Sequence, residues 1–180
     1  FNEGGWLTIF ITGSLVALAV IIKRHYKRTG RLLGRLAGLV DIAEADRARY
    51  ETKRGLRRKK QEVDPKAKTA VLFVNGFSGT GLHTLFTIMR VFSGIYKNFI
   101  FIQIGLIDSG LFKGVEEIEQ HKAHIEKEAG RYVSYMRAHG FNAESRTAIG
   151  VDVVDESTRI AAEIVKSYPR SIFFAGQLVF

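Results

Sequence analysis

Thr69-Ala-Val-Leu-Phe-Val74-Asn75-Gly76-Phe77-Ser78-Gly79-Thr80-Gly81 is the stretch on which the fold turns. Its first six residues are apolar or β-branched with no polar alternation, the pattern of a strand covered on both faces, and a glycine-rich turn stops it. Downstream, residues 82–92 place Leu82, Leu85, Phe86, Met89, Val91 and Phe92 on a helical stripe. Residues 99–106 read as a second apolar strand. Residues 116–139 follow as a long helix through Ile118, Ile125, Ala129, Tyr132 or Val133, and Met136, with Gly140 as its stop. The pattern then repeats, with a strand at 142–149, a helix at 155–168 through Ile160, Ile164 and Val165, and the start of a strand at 171–175. The order βαβαβαβ predicts an α/β fold, a doubly wound parallel sheet with right-handed crossovers.

The rest of the composition is organised around that domain. Of 180 residues, 46% are hydrophobic and 25% charged, enough for one real core and too apolar for a disordered chain. The absence of cysteine removes disulfide frameworks, thiolate metal sites and thiol nucleophiles together. The net charge of +9 is unevenly placed: residues 1–22 hold only Glu3, residues 23–68 hold 16 Lys/Arg against 6 Asp/Glu, and residues 69–180 hold 11 against 11. A neutral domain is thus joined by a basic segment to an uncharged one, which is a membrane layout.

Residues 4–22 carry no charge and span roughly 28 Å as a helix, about the thickness of a bilayer core. Lys23, Arg24, Lys27 and Arg28 follow the apolar run instead of preceding it, the reverse of a secretory signal. Trp6 and Tyr26 stand where interfacial aromatics belong, and the basic side is the cytoplasmic one. The expectation is a transmembrane helix over 1–22 in an inner or plasma membrane, with 23–180 in the cytoplasm. Residues 23–68, through Arg31, Arg35, Arg47, Arg49 and Arg57-Arg-Lys-Lys60, with Leu32, Leu36, Leu39 and Ala43 at helical spacing, read as a juxtamembrane amphipathic helix and linker against anionic lipid. A solvated linker is the alternative. Nucleic acid is not expected as a partner, because the domain adds neither basic surface nor aromatic platforms. The start at Phe1 and the stop at Phe180 inside an apolar run suggest a piece of a longer protein.

Two resemblances emerge from these residues. The turn Val74-Asn75-Gly76-Phe77-Ser78, the strand closing at Ile149-Gly150 before an acidic helix start, and Ser171-Ile-Phe-Phe-Ala-Gly176 resemble a universal stress protein domain. The leader, from Phe1-Asn-Glu-Gly-Gly-Trp6-Leu-Thr8 to Ile22-Lys23-Arg24-His25-Tyr26, resembles the last membrane helix of amino acid-polyamine-organocation superfamily permeases. Together they imply the C-terminal regulatory or assembly domain of an amino acid or cation transporter, paired as a homodimer and not an enzyme. The first resemblance also implies a nucleotide site for ATP, AMP or a cyclic dinucleotide. Family members carry an acidic residue where Asn75 stands, and their second phosphate loop would begin at Gly176.

The loop itself is the candidate site. In a doubly wound sheet ligands sit at the carboxyl ends of the strands by the switch point, which the resemblance to universal stress proteins places between the first and fourth strands. Asn75, Gly76, Ser78, Gly79, Thr80 and Gly81, with Gly150 and Gly176, are the candidate nucleotide-binding residues, the loop N–H groups and hydroxyls cradling phosphate. It is not a P-loop, since Leu82-His83 follow where Lys and Ser/Thr are needed, and Thr80 spoils a hydrolase elbow. A membrane-anchored enzyme using this loop and Ser78 remains the alternative. His121 and His124, with Glu117 and Glu128 one turn outside them, have metal-ligand spacing, yet the helix alternates charge as a solvated face does, so no metal is expected. Asp152, Asp155 and Glu156 read as helix-capping carboxylates.

Overall fold

The computed structural model describes residues 5–54, 64–107 and 114–176. Its elements are α1 (Gly5–Arg54), β1 (Thr69–Phe73), α2 (Gly79–Val91), β2 (Asn98–Leu106), α3 (Val115–Ala138), β3 (Asn142–Gly150), α4 (Val153–Ser167) and β4 (Ser171–Ala175). The strands form one parallel sheet in the order β3-β2-β1-β4. Every element read from the pattern after residue 68 is present, with ends shifted by a few residues. The chain steps outward from β1 to β3 and then crosses back to β4, so the order reverses between β1 and β4. That reversal creates the crevice in which doubly wound sheets hold ligands.

Alternation along the buried strands supplies two cores. Ala70, Leu72, Phe99 and Phe101 point to one face, where α2 and α3 cover them with Leu82, Leu85, Tyr132 and Met136. Val71, Ile100 and Ile102 point to the other, against Ile160, Ile164 and Tyr168 of α4 and its end. At the amino ends of the strands the fully buried Asn98 ties three segments together. Its amide donates to Thr69 Oγ1 at 3.1 Å and to the Asp64 carbonyl, and its oxygen accepts from Asn142 at 3.2 Å. Gly140, at φ 87°, turns the chain out of α3 into β3 in a conformation that other residues rarely adopt.

Before residue 68, α1 runs without interruption from Gly5 to Arg54, through both the expected apolar span and most of the expected amphipathic segment. Leu39 and Ala43 of the expected apolar stripe pack, with Val40, into the α2–α3 core, and Ala43 is 1% exposed; the Leu32 side chain lies outside the described ones. Burial of an apolar stripe against protein satisfies it as well as lipid does. An ion pair of Glu44 with Arg131 and a hydrogen bond between Asp46 and His139 Nε2 at 2.9 Å flank this contact. The Tyr135 hydroxyl donates to Asp46 at 3.4 Å, and burial together with that carboxylate pushes its phenol up to about 12.

Among the described residues no helix is long and apolar enough to cross a membrane. The uninterrupted stretch of described side chains at that end runs only from 9 to 25; of the expected span 1–22, the side chains at 1–5, 7 and 8 lie outside the described ones. Ile9, Phe10, Leu15, Val16, Leu18, Val20, Ile21 and Ile22 within it are all exposed. The basic cluster 57–60 likewise lies outside the described residues.

Candidate functional site

A cleft of ≈ 900 Å³ opens at the carboxyl ends of β1, β2 and β4. Its floor comes from Val74 and Gln103, one side from the start of α2, the other from α3, and Ala175 and Gly176 close the switch-point end. Of the residues proposed from sequence, Asn75, Gly76, Ser78, Thr80, Gly81 and Gly176 line this cleft together. The other two sit elsewhere. Gly79 is buried, and a Cβ there would run into the Leu36 carbonyl of α1, so its lack of a side chain serves the helix crossing. Gly150 ends the edge strand β3, where Glu156 packs on it and its carbonyl accepts from Ile107 N–H at 2.9 Å.

The loop is held from behind. Gly76 turns at φ 65°, and Ser78, extended, caps α2 by accepting from Gly81 N–H at 3.4 Å. Phe77 N–H donates to Glu128 Oε2 at 2.9 Å, and Ser78 N–H donates to the Tyr132 hydroxyl at 3.2 Å, which in turn donates to the Gly76 carbonyl at 3.0 Å. Tyr132 is wedged between the rings of Phe77 and Phe101, at 4.7 and 4.9 Å. A Cβ on Gly81 would collide with its hydroxyl, which explains a glycine inside the first turn of α2. Arg131 lies over the Phe77 ring at 4.2 Å and binds both oxygens of Glu128. Burial pushes the Glu128 carboxyl upward, but the Phe77 N–H, Arg131 and the nearby His124 outweigh it and hold the group below its ordinary value.

Part of the loop's donor capacity is therefore already used. Gly79 and Thr80 N–H, at the first turn of α2, have no intrahelical acceptor by helix geometry, and Thr80 borders the cleft. The Ser78 hydroxyl, the nucleophile of the enzyme alternative, is engaged as a helix cap.

Three lining residues were not singled out as ligand contacts from sequence. Gln103 is 4% exposed, and its Oε1 is buried without a hydrogen-bond partner among the described residues. His121 and His124, read above as a solvated face, border the cleft from α3, and Gly105 leaves room for His121 and Ile125 to approach the sheet. Among the described residues no group of three or more His, Asp or Glu could hold a metal ion. Asp152 caps α4 as read, accepting from Val154 and Asp155 N–H at 2.6 and 3.2 Å. Compared with known proteins, the chain matches no family model, no curated protein and no solved structure.

Proposed function

We propose that this chain is the cytoplasmic regulatory and assembly domain of a membrane secondary transporter, an amino acid or cation permease, which senses a nucleotide and works as a pair. One observation carries the reading. A single helix leads out of the uncharged, exposed apolar segment and lies across the start of α2, the element that heads the ligand cleft. A helix that carries the apolar segment at one end and packs against the head of the ligand cleft at the other supplies the parts a regulator needs. A ligand that prefers one arrangement of the cleft can then bias the arrangement of α1, provided it binds the two differently. The exposed residues from Ile9 to Ile22 are accounted for by lipid, with Trp6 at one interface and the basic run at the other. No catalytic group is required.

The test is made on the whole chain expressed in a bacterial membrane. Alkaline extraction should leave it in the membrane, and a thiol introduced by Ser14→Cys should resist a water-soluble maleimide that labels Ser93→Cys. The absence of native cysteine makes each label single-site. Release of the chain by alkali, or equal labelling of both sites, would overturn the membrane reading. Mass spectrometry of small molecules carried through purification tests the sensor reading, and light scattering of the same sample tests the pair.

A further inference from the structure

We propose that the pole of the domain at the amino ends of the strands binds the phosphate backbone of a nucleic-acid duplex, without regard to sequence. This surface lies opposite the cleft, and duplex binding there is a property separate from ligand sensing.

Residues 69–180 hold Lys/Arg and Asp/Glu in equal number, 11 of each, and the fold sorts them by pole into a basic surface that the count conceals. In a parallel sheet with returning helices, strand starts and helix ends share one pole. Carboxylates gather at the other: Glu116 and Glu117 in the first turn of α3, and Asp152, Asp155 and Glu156 at the start of α4. At the strand starts the charge is positive. Backbone carbonyls draw Lys66, Lys68, Lys97 and Arg170 together. Lys97 N–H donates to the Lys68 carbonyl at 3.2 Å, Thr69 N–H to the Arg170 carbonyl at 3.0 Å, and the Arg170 guanidinium to the Lys66 carbonyl at 3.3 Å. All four residues are exposed. Arg90, Arg137 and Lys166, in the last turns of α2, α3 and α4, stand at the same pole, and the negative ends of their helices account for them. The four central cations lie in the turns before β1, β2 and β4, complement no helix, and make no ion pair among the described residues. Asp64, whose Oδ1 accepts from Lys66 N–H at 3.0 Å, offsets part of this charge and leaves an excess.

Three observations choose among polyanions. The direction of α1 excludes the membrane invoked above. Its Leu36 backbone meets Gly79 at the start of α2, and its Asp46 and Tyr50 meet His139 just after α3, so it runs from the acidic pole toward the basic one. From Ile22, where the apolar run ends, to Tyr50 it covers about 42 Å at about 1.5 Å per residue, several times a Debye length of about 8 Å. Lipid that holds residues 9–22 therefore lies off the opposite pole. Lysine, moreover, is depleted in protein interfaces and accepted by phosphate backbones, and the central cluster is lysine but for Arg170. Finally, Tyr96 and Tyr168, the aromatic residues nearest the cluster in the chain, are buried and offer none of the stacking platforms that hold a single strand.

The experiment is fluorescence anisotropy of a labelled duplex of about 20 base pairs, titrated with the purified full chain at several salt concentrations. Four phosphate contacts predict that log K falls with log salt at a slope of about −3.6, the same for a second, unrelated sequence. Lys68→Gln with Lys97→Gln should reduce that slope by about 1.8 and weaken binding at least about tenfold. Lys122→Gln with Lys127→Gln, an equal charge change on exposed positions of α3, should leave the slope unchanged. Melting temperatures confirm that both variants are folded. An equal loss from the two variants, or a slope that survives Lys68→Gln with Lys97→Gln, overturns the assignment to this pole. Displacement of the duplex by polyglutamate at equal charge concentration assigns the pole to an acidic protein, and displacement by phosphatidylglycerol vesicles assigns it to lipid; either overturns the choice of nucleic acid. No binding at about 50 mM salt overturns the proposal outright.

Discussion

Gly79→Ala separates two uses of one residue. As a phosphate cradle, Gly79 would matter to ligand; as a crossing point, it matters to α1. Its neighbourhood favours the second, since an added Cβ would meet the Leu36 backbone, which cannot swing aside as a side chain can. Overpacking of this kind costs about 1–3 kcal/mol. The docked face of α1 offers little to absorb it. Burial of Leu39, Val40 and Ala43 contributes about 1 kcal/mol each, and the Glu44–Arg131 pair and the Asp46–His139 hydrogen bond, both part-exposed, about 0.5 kcal/mol each. A strain of about 2 kcal/mol against a contact of about 4 kcal/mol shifts the docked population by roughly 30-fold, so α1 should lift locally while the sheet persists. Alanine is also the better helix former at the start of α2, by about 0.5–1 kcal/mol, so that helix should not melt. The assay is thiol labelling of Ala43→Cys, 1% exposed in the docked state, with and without Gly79→Ala. Labelling should accelerate by roughly 10- to 100-fold, with hydrogen exchange in β1 and β2 unchanged. An unchanged labelling rate would refute the crossing argument. Equal loss of protection in the sheet would show that α1 is not a separable layer.

Asn98→Ala should destabilise the domain by about 3 kcal/mol in chemical denaturation, because it strands Thr69, Asn142 and the Asp64 carbonyl at the amino ends of three segments. Tyr132→Phe keeps both ring contacts but leaves Ser78 N–H and the Gly76 carbonyl without the hydroxyl, at about 1–2 kcal/mol, with the increase in hydrogen exchange confined to the loop. Glu128 carries a pH signature. Its folded pKa is below the unfolded value, so its contribution is complete above the ordinary glutamate range and is lost as pH falls through the lowered folded value. The stability gap between wild type and Glu128→Gln should therefore be widest near neutrality and shrink on acidification; a gap that widens in acid contradicts the pairing of Glu128 with Phe77 and Arg131.

The parallel sheet was legible because β1, β2 and β4 are short, mostly apolar runs, β3 alternates, and each helix is a stripe of period 3.6, signals that do not imitate one another. The position of the switch point did not follow from element order, which leaves the spatial order of the strands open; it came from the resemblance, and the observed order β3-β2-β1-β4 puts it between β1 and β4. The docking of α1 was not legible, because Leu36, Leu39 and Ala43 make the same stripe whether lipid or protein covers them. What distinguishes the two is a distant glycine, Gly79, and the charge partners Arg131 and His139, and pattern within one segment cannot register those. Gln103 left a faint trace in the sequence. It is the one side-chain hydrogen-bonding residue within Phe99-Ile-Phe-Ile-Gln-Ile-Gly-Leu106, and a polar residue inside a doubly covered strand must find a partner or serve a ligand.

The glycine loop looks like a phosphate cradle in sequence because glycine permits close approach without saying what approaches. Here the neighbours are the chain's own: the Tyr132 hydroxyl at Gly81, the α1 backbone at Gly79, and the Glu128 carboxylate at the N–H beside Gly76. A carboxylate bound where a phosphate was expected is itself an anion on this loop, and it lowers the attraction for another. The loop then faces two ways, with Glu128, Arg131 and Glu44 linking its back to α1 and the cleft in front. Glu44 on α1 and Glu128 behind the loop both bind Arg131, so release of α1 would leave that guanidinium wholly to Glu128 and strengthen the carboxylate that holds the Phe77 N–H.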